Sequence, residues 1–259
     1  MNKTITILFL VITLSTFGQK KNNNNIRSEN DLKPKQYLAT RDSIIKETIY
    51  GSIYITKDTT AEMYSWLANE TIDTIVFNEM FTTENVSEFL KTNKIKMKHF
   101  TNNSLKGNWS SLYLLNGKFY VYSPSDWMFN KQILVTDSAF YHLGSDDWRI
   151  ESIQGYESKS NGDLTFNLTG YNGELTVLSI RFIDNDKNIA LWHRKSSAGV
   201  DFFEIRVRSA EVRKFDMIVN DCLGVKCFQE FIFETPEYNE IIKLYVNTFF
   251  NKPCNSSKY

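Results

Sequence analysis

Alternation of apolar and polar residues dominates the second half of the chain. Within residues 164–169, and again within 203–208, apolar side chains alternate strictly with polar or charged ones, as in strands with two different faces. Asn-Gly pairs follow strand-like runs at Asn116, Asn161 and Asn172 and supply the positive φ angles of tight hairpins. The pattern predicts eight consecutive antiparallel strands: Trp109–Leu115, Lys118–Ser123, Gln132–Tyr141, Trp148–Tyr156, Asp163–Thr169, Glu174–Ile183, Asn188–Arg194 and Asp201–Arg208. Because closure leaves no exposed edge, such a meander most simply forms a barrel.

Helical and strand-like patterns mix in residues 37–104. Thr59 and Glu62 have capping-box spacing and predict a short helix, and no glycine-rich phosphate loop follows a strand. We therefore expect a small α/β segment without a nucleotide site. Its predicted elements are a strand at 49–56, the helix after Thr59, a strand at 72–77, a helix near 86–90 and a strand at 95–100.

A last helix is predicted after Thr235, with Pro236 at its first position. Apolar residues recur along it at helical spacing, at Tyr238, Ile241, Ile242, Tyr245 and Phe249. The stripe favours docking against the outside of the sheet, with a partner helix as the alternative. The fold class expected overall is mainly β (α+β), with a barrel-like domain and C-terminal helix over residues 105–259.

The first eighteen residues have the anatomy of a secretory signal peptide. Lys3 precedes the apolar run Ile5–Leu14, and Ser15–Gly18 offers small residues for cleavage before Gln19. Residues 19–36 are polar and asparagine-rich and read as a disordered linker. We expect an exported protein, periplasmic or secreted, with no transmembrane segment after signal removal, since no later apolar run reaches about 18 residues.

Charge excludes some partners. The chain has 30 basic and 30 acidic residues, so removing Lys3 with the signal leaves 29 against 30. This balance argues against nucleic acid and against an anionic membrane surface. Aromatic residues make up 14% of the chain, which favours sheets with a large core.

The chain has three cysteines. An oxidising compartment favours a disulfide between Cys222 and Cys227, with Gly224 letting the chain turn. Pairing of Cys254 with either one stays open, and one thiol is left over in every case. A zinc site needs four ligands, and no His or Cys cluster completes a set, so no metal is expected.

Catalytic motifs are missing from the sequence. The three histidines, His99, His142 and His193, are far apart, and neither a Gly-X-Ser-X-Gly elbow nor a His-Glu-X-X-His helix is present. Residues 184–186 (Asp-Asn-Asp) lack the glycine and distal glutamate of a calcium loop and read as a hairpin turn. We name no catalytic residue and no cofactor. An enzyme stays open, because convergent triads leave no sequence signature.

Candidate ligand contacts are aromatic. Side chains of this kind on a sheet face line apolar cavities or stack on sugar rings, although core packing is their commoner use. The candidates are Trp109, Tyr120, Tyr122, Trp148, Trp192 and the neighbouring His193.

Gly107-Asn108-Trp109, which opens the first of the eight strands, resembles the Gly-X-Trp signature of lipocalins. The helix after the last strand is also similar to that family, whereas residues 37–104 lie outside its plan. In lipocalins an arginine near the final strand packs over the tryptophan, and either Arg206 or Arg208 fits that role. The resemblance implies a cup-shaped barrel that binds a small, mostly apolar ligand.

Three functions follow as hypotheses. The first is an exported, non-catalytic barrel that binds a small hydrophobic or amphipathic molecule. The second is a carbohydrate-binding or carbohydrate-active protein that uses exposed Trp and Tyr side chains on a glycan. The third is a structural or interaction module of the cell envelope.

Overall fold

The computed structural model describes most of the chain after residue 40. The described ranges are 41–49, 51–68, 88, 91, 98–101, 103–125, 132–143, 149–170, 173–222 and 230–241. The strands are β1 Ser43–Thr48, β2 Gly51–Thr56, β3 Gly107–Leu115, β4 Lys118–Ser123, β5 Gln132–Val135, β6 Ala139–Leu143, β7 Arg149–Ser158, β8 Leu164–Gly170, β9 Leu175–Asp184, β10 Ile189–Ser196, β11 Asp201–Arg208 and β12 Met217–Cys222. The helices are α1 Glu62–Leu67, a 3-10 helix Ser209–Lys214 and a helix described over residues 238–241.

Eight antiparallel strands close into a barrel. Strands β5 to β11 pair in sequence, and β3 pairs with both β5 and β11, which closes the cylinder. The predicted mainly β fold and barrel closure are confirmed. The described tight turns also form as expected, with positive φ at Asn116, Gly117 and Gly162.

Two of the eight predicted strands differ from the structure. The run expected at 132–141 is two strands, β5 and β6, because the Thr136 hydroxyl accepts the Ala139 N–H (3.0 Å) and closes a turn between them. The run expected as the second barrel strand, β4, leaves the barrel. The count of eight is therefore met with β6 in place of β4.

The sheet branches at β3. Residues 107–110 of β3 pair with β5, whereas residues 113–115 of the same edge pair with β4. From β4 the sheet continues through a parallel pairing with β12 to β2 and then β1. The strands near the beginning of the described chain thus form one sheet with β12 near its end.

The two ends of the barrel are named by the residues that lie there. The basal end carries Gly107, Val135, Ala139, Leu164 and Arg208, and the apical end carries Gln132, Leu143, Arg149, Gly170 and Asp201. Aromatic and aliphatic side chains fill the interior from the basal end upward: Phe100, Leu105, Trp109, Ile133, Val135, Phe140, Ile153, Leu164, Phe166, Leu168, Leu178, Ile180, Ala190 and Trp192.

A second apolar cluster covers the outside of the barrel. Leu191, Ile205 and Val207 point outward from β10 and β11 and pack with α1, the 3-10 helix and Ile241. The Tyr64 hydroxyl anchors α1 by donating to the Phe215 carbonyl (2.7 Å). The described start of the last helix therefore docks against the outside of the sheet, as its apolar stripe predicts.

One local prediction about α1 is wrong in detail. The helix begins after Ala61, whose N-cap position has no side-chain hydrogen bond, so the Thr59–Glu62 capping box does not form. Instead, the Asp58 carboxylate accepts the Thr60 N–H (3.0 Å) in a turn before the helix. The helix itself is confirmed.

Several predictions fall outside the described residues. These are the signal peptide, the linker, the strand at 72–77, Cys227, Cys254 and most of the helix near 86–90. Glu88 in that range is helical, as is Lys91 just after it. Cys222 is the last residue of β12. Residues 98–100 are not in a strand, but the Lys98 N–H donates to the Ile153 carbonyl (2.8 Å).

Candidate functional site

A tryptophan and an arginine close the basal end of the barrel. Trp109 is completely buried, and its Nε1–H donates to the Leu105 carbonyl (2.8 Å). The Arg208 guanidinium lies over the Trp109 ring, 5.0 Å from its centre, and donates to the carbonyls of Ser104 and Lys106. One cation therefore ties the segment before β3 to the last barrel strand through both the ring and the backbone.

Gly107 permits this arrangement. Its φ of +118° lies where residues with a side chain are strained. A Cβ at this position would also collide with the Arg208 guanidinium. Only glycine lets the backbone turn into β3 directly beneath the arginine.

Closely packed aromatic rings, tilted or edge-on to one another, form a floor above the basal end. Trp109 and Trp192 have ring centres 5.6 Å apart, and Phe140 meets Trp192 edge-on at 5.8 Å. Phe140 also meets Phe166 edge-on at 5.2 Å. These contacts make the lower interior a packed apolar layer.

Charged residues occupy the apical half of the interior, directly above this floor. Glu151 joins two of them, because each of its carboxylate oxygens accepts a hydrogen bond. Oε1 accepts from Arg194 Nη1, and Oε2 accepts from His142 Nε2 (2.7 Å). The Glu151 and Arg194 side chains are 5% and 6% exposed, so the pair is almost fully desolvated.

A second ion pair lies beside the first. Arg206 donates through Nε and Nη2 to Glu204 (3.2 and 3.0 Å), and its guanidinium lies over the Trp192 ring at 5.3 Å. We name His142, Glu151, Arg194, Glu204 and Arg206 the charged cluster.

The protonation states in the charged cluster follow from its contacts. Burial opposes the charge on Glu151, but the hydrogen bond from His142 and the nearby Arg194 prevail and hold the Glu151 pKa well below its ordinary value. Burial lowers the pKa of His142 and outweighs the opposite effect of Glu151. Desolvation also opposes the charge on the half-buried Glu204, yet Arg206 and Arg194 lower its pKa. At neutral pH the cluster thus holds two cations, two anions and a neutral imidazole.

A cavity borders the charged cluster at the seam between β3 and β11. These strands pair from Trp109 to Leu112 of β3. Beyond that point a cavity of about 200 Å³ opens between them, lined by Ser111, Tyr113, Phe203 and Glu204 from the strands and by Phe233 and Tyr238. Glu204 therefore belongs to the charged cluster and also lines the cavity.

The segment 230–238, which we name the strap, covers the outer side of this cavity. Glu230 fixes its beginning by accepting from the Tyr122 hydroxyl and from the Ser125 N–H (3.2 Å). Phe233 stacks on Tyr113 at 4.2 Å, and the Tyr238 hydroxyl donates to the Phe203 carbonyl (2.8 Å). The strap thus spans the seam from β4 to β11.

The described aromatic residues that were predicted to contact a ligand lie in two separate places. Trp109 and Trp192 lie together in the apolar floor. Tyr120 and Tyr122 lie on β4 outside the closed cylinder and pack with Ile53 and Ile218. Trp148 lies outside the described residues.

His193 and the two candidate arginines are also placed apart. His193 is on the outer face of β10, where it stacks on Phe203 with ring centres 4.0 Å apart and contacts Asp201 (2.8 Å). Arg208 lies over Trp109, and Arg206 lies over Trp192. Of the two arginines between which the sequence left the choice open, Arg208 is therefore the one that packs over Trp109.

Sequence reasoning missed the charged cluster. His142 was considered only as an isolated histidine, and Glu151 and Arg194 were not considered as a pair. Their strands lie far apart in the chain, and barrel closure brings them together. A usable signal was the strict alternation in β11, which forces Glu204 and Arg206 onto the face of Arg208 and of the tryptophan beneath it.

Within the described ranges, no group of three or more His, Cys, Asp or Glu side chains has the arrangement of a metal site. Among the same residues, no helix combines the length and the apolar character that crossing a membrane requires. No family model matches the chain, and neither the curated proteins nor the solved structures include a significant match.

Proposed function

We propose that this chain is an exported, non-catalytic, lipocalin-like protein that binds a small hydrophobic or amphipathic molecule in the apical half of its barrel. The observation that carries the proposal is the division of the interior. The basal half is sealed and filled by Trp109, Trp192 and Phe140, whereas the apical half is lined by buried polar groups beside a cavity.

The basal arrangement supports the lipocalin-like part of the proposal. Gly107, Trp109 and Arg208 have the geometry that the resemblance to lipocalins implies, with the arginine over the indole ring. A barrel that is sealed at one end is suited to receive a ligand from the other.

The polarity of the apical half supports an amphipathic ligand. A packed barrel needs no buried charges for its stability, because apolar residues of similar volume serve at least as well. The charged cluster is therefore better explained by binding: a charged layer above an aromatic floor suits a molecule with a polar group and an apolar body. The adjoining cavity has a volume of about 200 Å³, which suits a small ligand.

Binding of 8-anilinonaphthalene-1-sulfonate, followed by its fluorescence, tests this function. We expect saturable binding with one site per chain. Thr176 is buried on the inner face of β9 at the apical end, so Thr176→Phe adds a bulky ring to the apical interior and is expected to weaken binding by about tenfold or more.

Thr165→Phe is the matched control, since Thr165 alternates with the inward-facing Leu164 and Phe166 and therefore points outward. It should leave the affinity unchanged, and cooperative melting should show that both variants fold. Unsaturable binding by the wild type, or equal affinity in the two variants, would contradict the proposal.

A further inference from the structure

Two buried hydrogen-bond donors inside the barrel have no partner among the described residues. They are Nη2 of Arg194 and Nε1 of Trp192. Arg194 is 5% exposed and Trp192 is 1% exposed, so bulk solvent does not satisfy either donor. Leaving such groups unpaired is costly, more so for a charged guanidinium.

Neighbouring carboxylates do not satisfy the free nitrogen of Arg194. Both oxygens of Glu151 are already used, one by Arg194 Nη1 and the other by His142. The carboxylate of Glu204 is held by Arg206. An additional acceptor at Nη2 must therefore come from elsewhere.

The two donors lie on the same face of one strand. Arg194 and Trp192 are two residues apart on β10, so their backbones are separated by about 6.6 Å and both side chains point to the inner face of the barrel, Arg194 directly above Trp192. Both groups donate and neither accepts. The complementary group is rich in acceptor oxygens, and an anionic one matches the guanidinium best.

We infer that the ligand of this barrel carries an anionic oxygen group, a carboxylate or a chemical equivalent, which binds Arg194 Nη2 with Trp192 Nε1 as the adjacent donor. This inference rests on the proposed function and names the chemical class of the ligand. The apolar body of such a molecule would lie against the face of the aromatic floor.

Three probes with the same ten-carbon tail test the inference: decanoate, decan-1-ol and decyltrimethylammonium, titrated calorimetrically into the purified protein at pH 8. We expect decanoate to bind about tenfold or more tightly than the other two, which is the range of a charge-assisted hydrogen bond. Arg194→Met should remove this preference while leaving the affinity for decan-1-ol within about twofold. Arg194→Lys should keep part of the preference, because the charge remains.

Arg181→Met is the control. Arg181 lies on the outer face of β9, where it pairs with Asp163, so the variant should bind decanoate like the wild type. If Arg194→Met does not fold, Arg194→Lys and the comparison of the three probes on the wild type still test the inference. Equal affinity of the wild type for decanoate and decan-1-ol, or an unchanged preference in a folded Arg194→Met, would overturn the inference and leave the proposed function standing. Failure of all three probes to bind would overturn both.

Discussion

Replacing Trp109 by alanine is expected to lower the free energy of unfolding by about 4 kcal/mol. The ring is completely buried and contacts Trp192 and Phe182, so its removal leaves a large cavity in the apolar floor. The variant also loses the bond to the Leu105 carbonyl and the ring beneath Arg208. Urea-induced unfolding at constant protein concentration measures the change.

Trp66→Ala provides the matched control for this loss. Trp66 lies on α1 with 59% of its surface exposed, so the same substitution there should change the free energy of unfolding by less than about 0.5 kcal/mol. A similar loss in the two variants would show that Trp109 does not hold the barrel closed.

The second large effect is expected at Glu151. Glu151→Gln should destabilise the protein by about 3 kcal/mol, because it leaves the buried Arg194 guanidinium without its counter-charge. Removing both partners, in Glu151→Leu/Arg194→Leu, should recover most of this loss, since a well-packed apolar pair replaces the ions. Urea unfolding of the wild type, Glu151→Gln and the double variant measures the order of their free energies of unfolding. A double variant less stable than Glu151→Gln would contradict it.

The same cluster sets a pH dependence. The pKa values of His142 and Glu151 are both lower in the folded protein than in the unfolded chain. The unfolded chain therefore binds more protons, and the protein loses stability on acidification. The loss begins as the pH falls below about 6.5, where His142 of the unfolded chain takes up a proton, and increases below about 4.5, where Glu151 does. In Glu151→Gln the second part of this loss should shrink, as thermal melting of the wild type and the variant from pH 7.5 down to about 2.5 would show.

Barrel closure was predictable because alternation along the strands is a local property. Residues 164–169 and 203–208 each have two distinct faces, and Asn-Gly turns fix the hairpins between strands. The exchange of β4 for β6 was not predictable in this way. One edge of β3 pairs partly with β5 and partly with β4. β4 also pairs with β12, which lies about a hundred residues further along the chain, so the departure of β4 from the barrel involves a partner that local patterns do not reveal.

The direction of the two faces of β11 could not be inferred from hydrophobicity. Ile205 and Val207 look like inward-facing residues, yet they point outward and are covered by α1 and the 3-10 helix. Arg206 and Glu204 point inward. Hydrophobicity separates the two faces of a strand but does not say which one a separate layer of the protein will cover.

The candidate site was likewise only partly predictable from the sequence. Gly107 and Trp109 were found from sequence because they are near neighbours in the chain, and a short motif carries their geometry. Glu151 and Arg194 are 43 positions apart and meet only when β7 and β10 are parts of one closed cylinder. No local pattern marks such a pair.

Native mass spectrometry of the protein purified from its own host tests the central claim most directly, by comparison with the same sample after denaturation. The account predicts a chain that begins at Gln19 and carries a defined additional small mass, which is lost on denaturation. A second sample of Thr176→Phe, expressed in the same host, should lack that mass. A wild-type chain with no bound mass, which also fails to gain one when mixed with decanoate, would contradict the account.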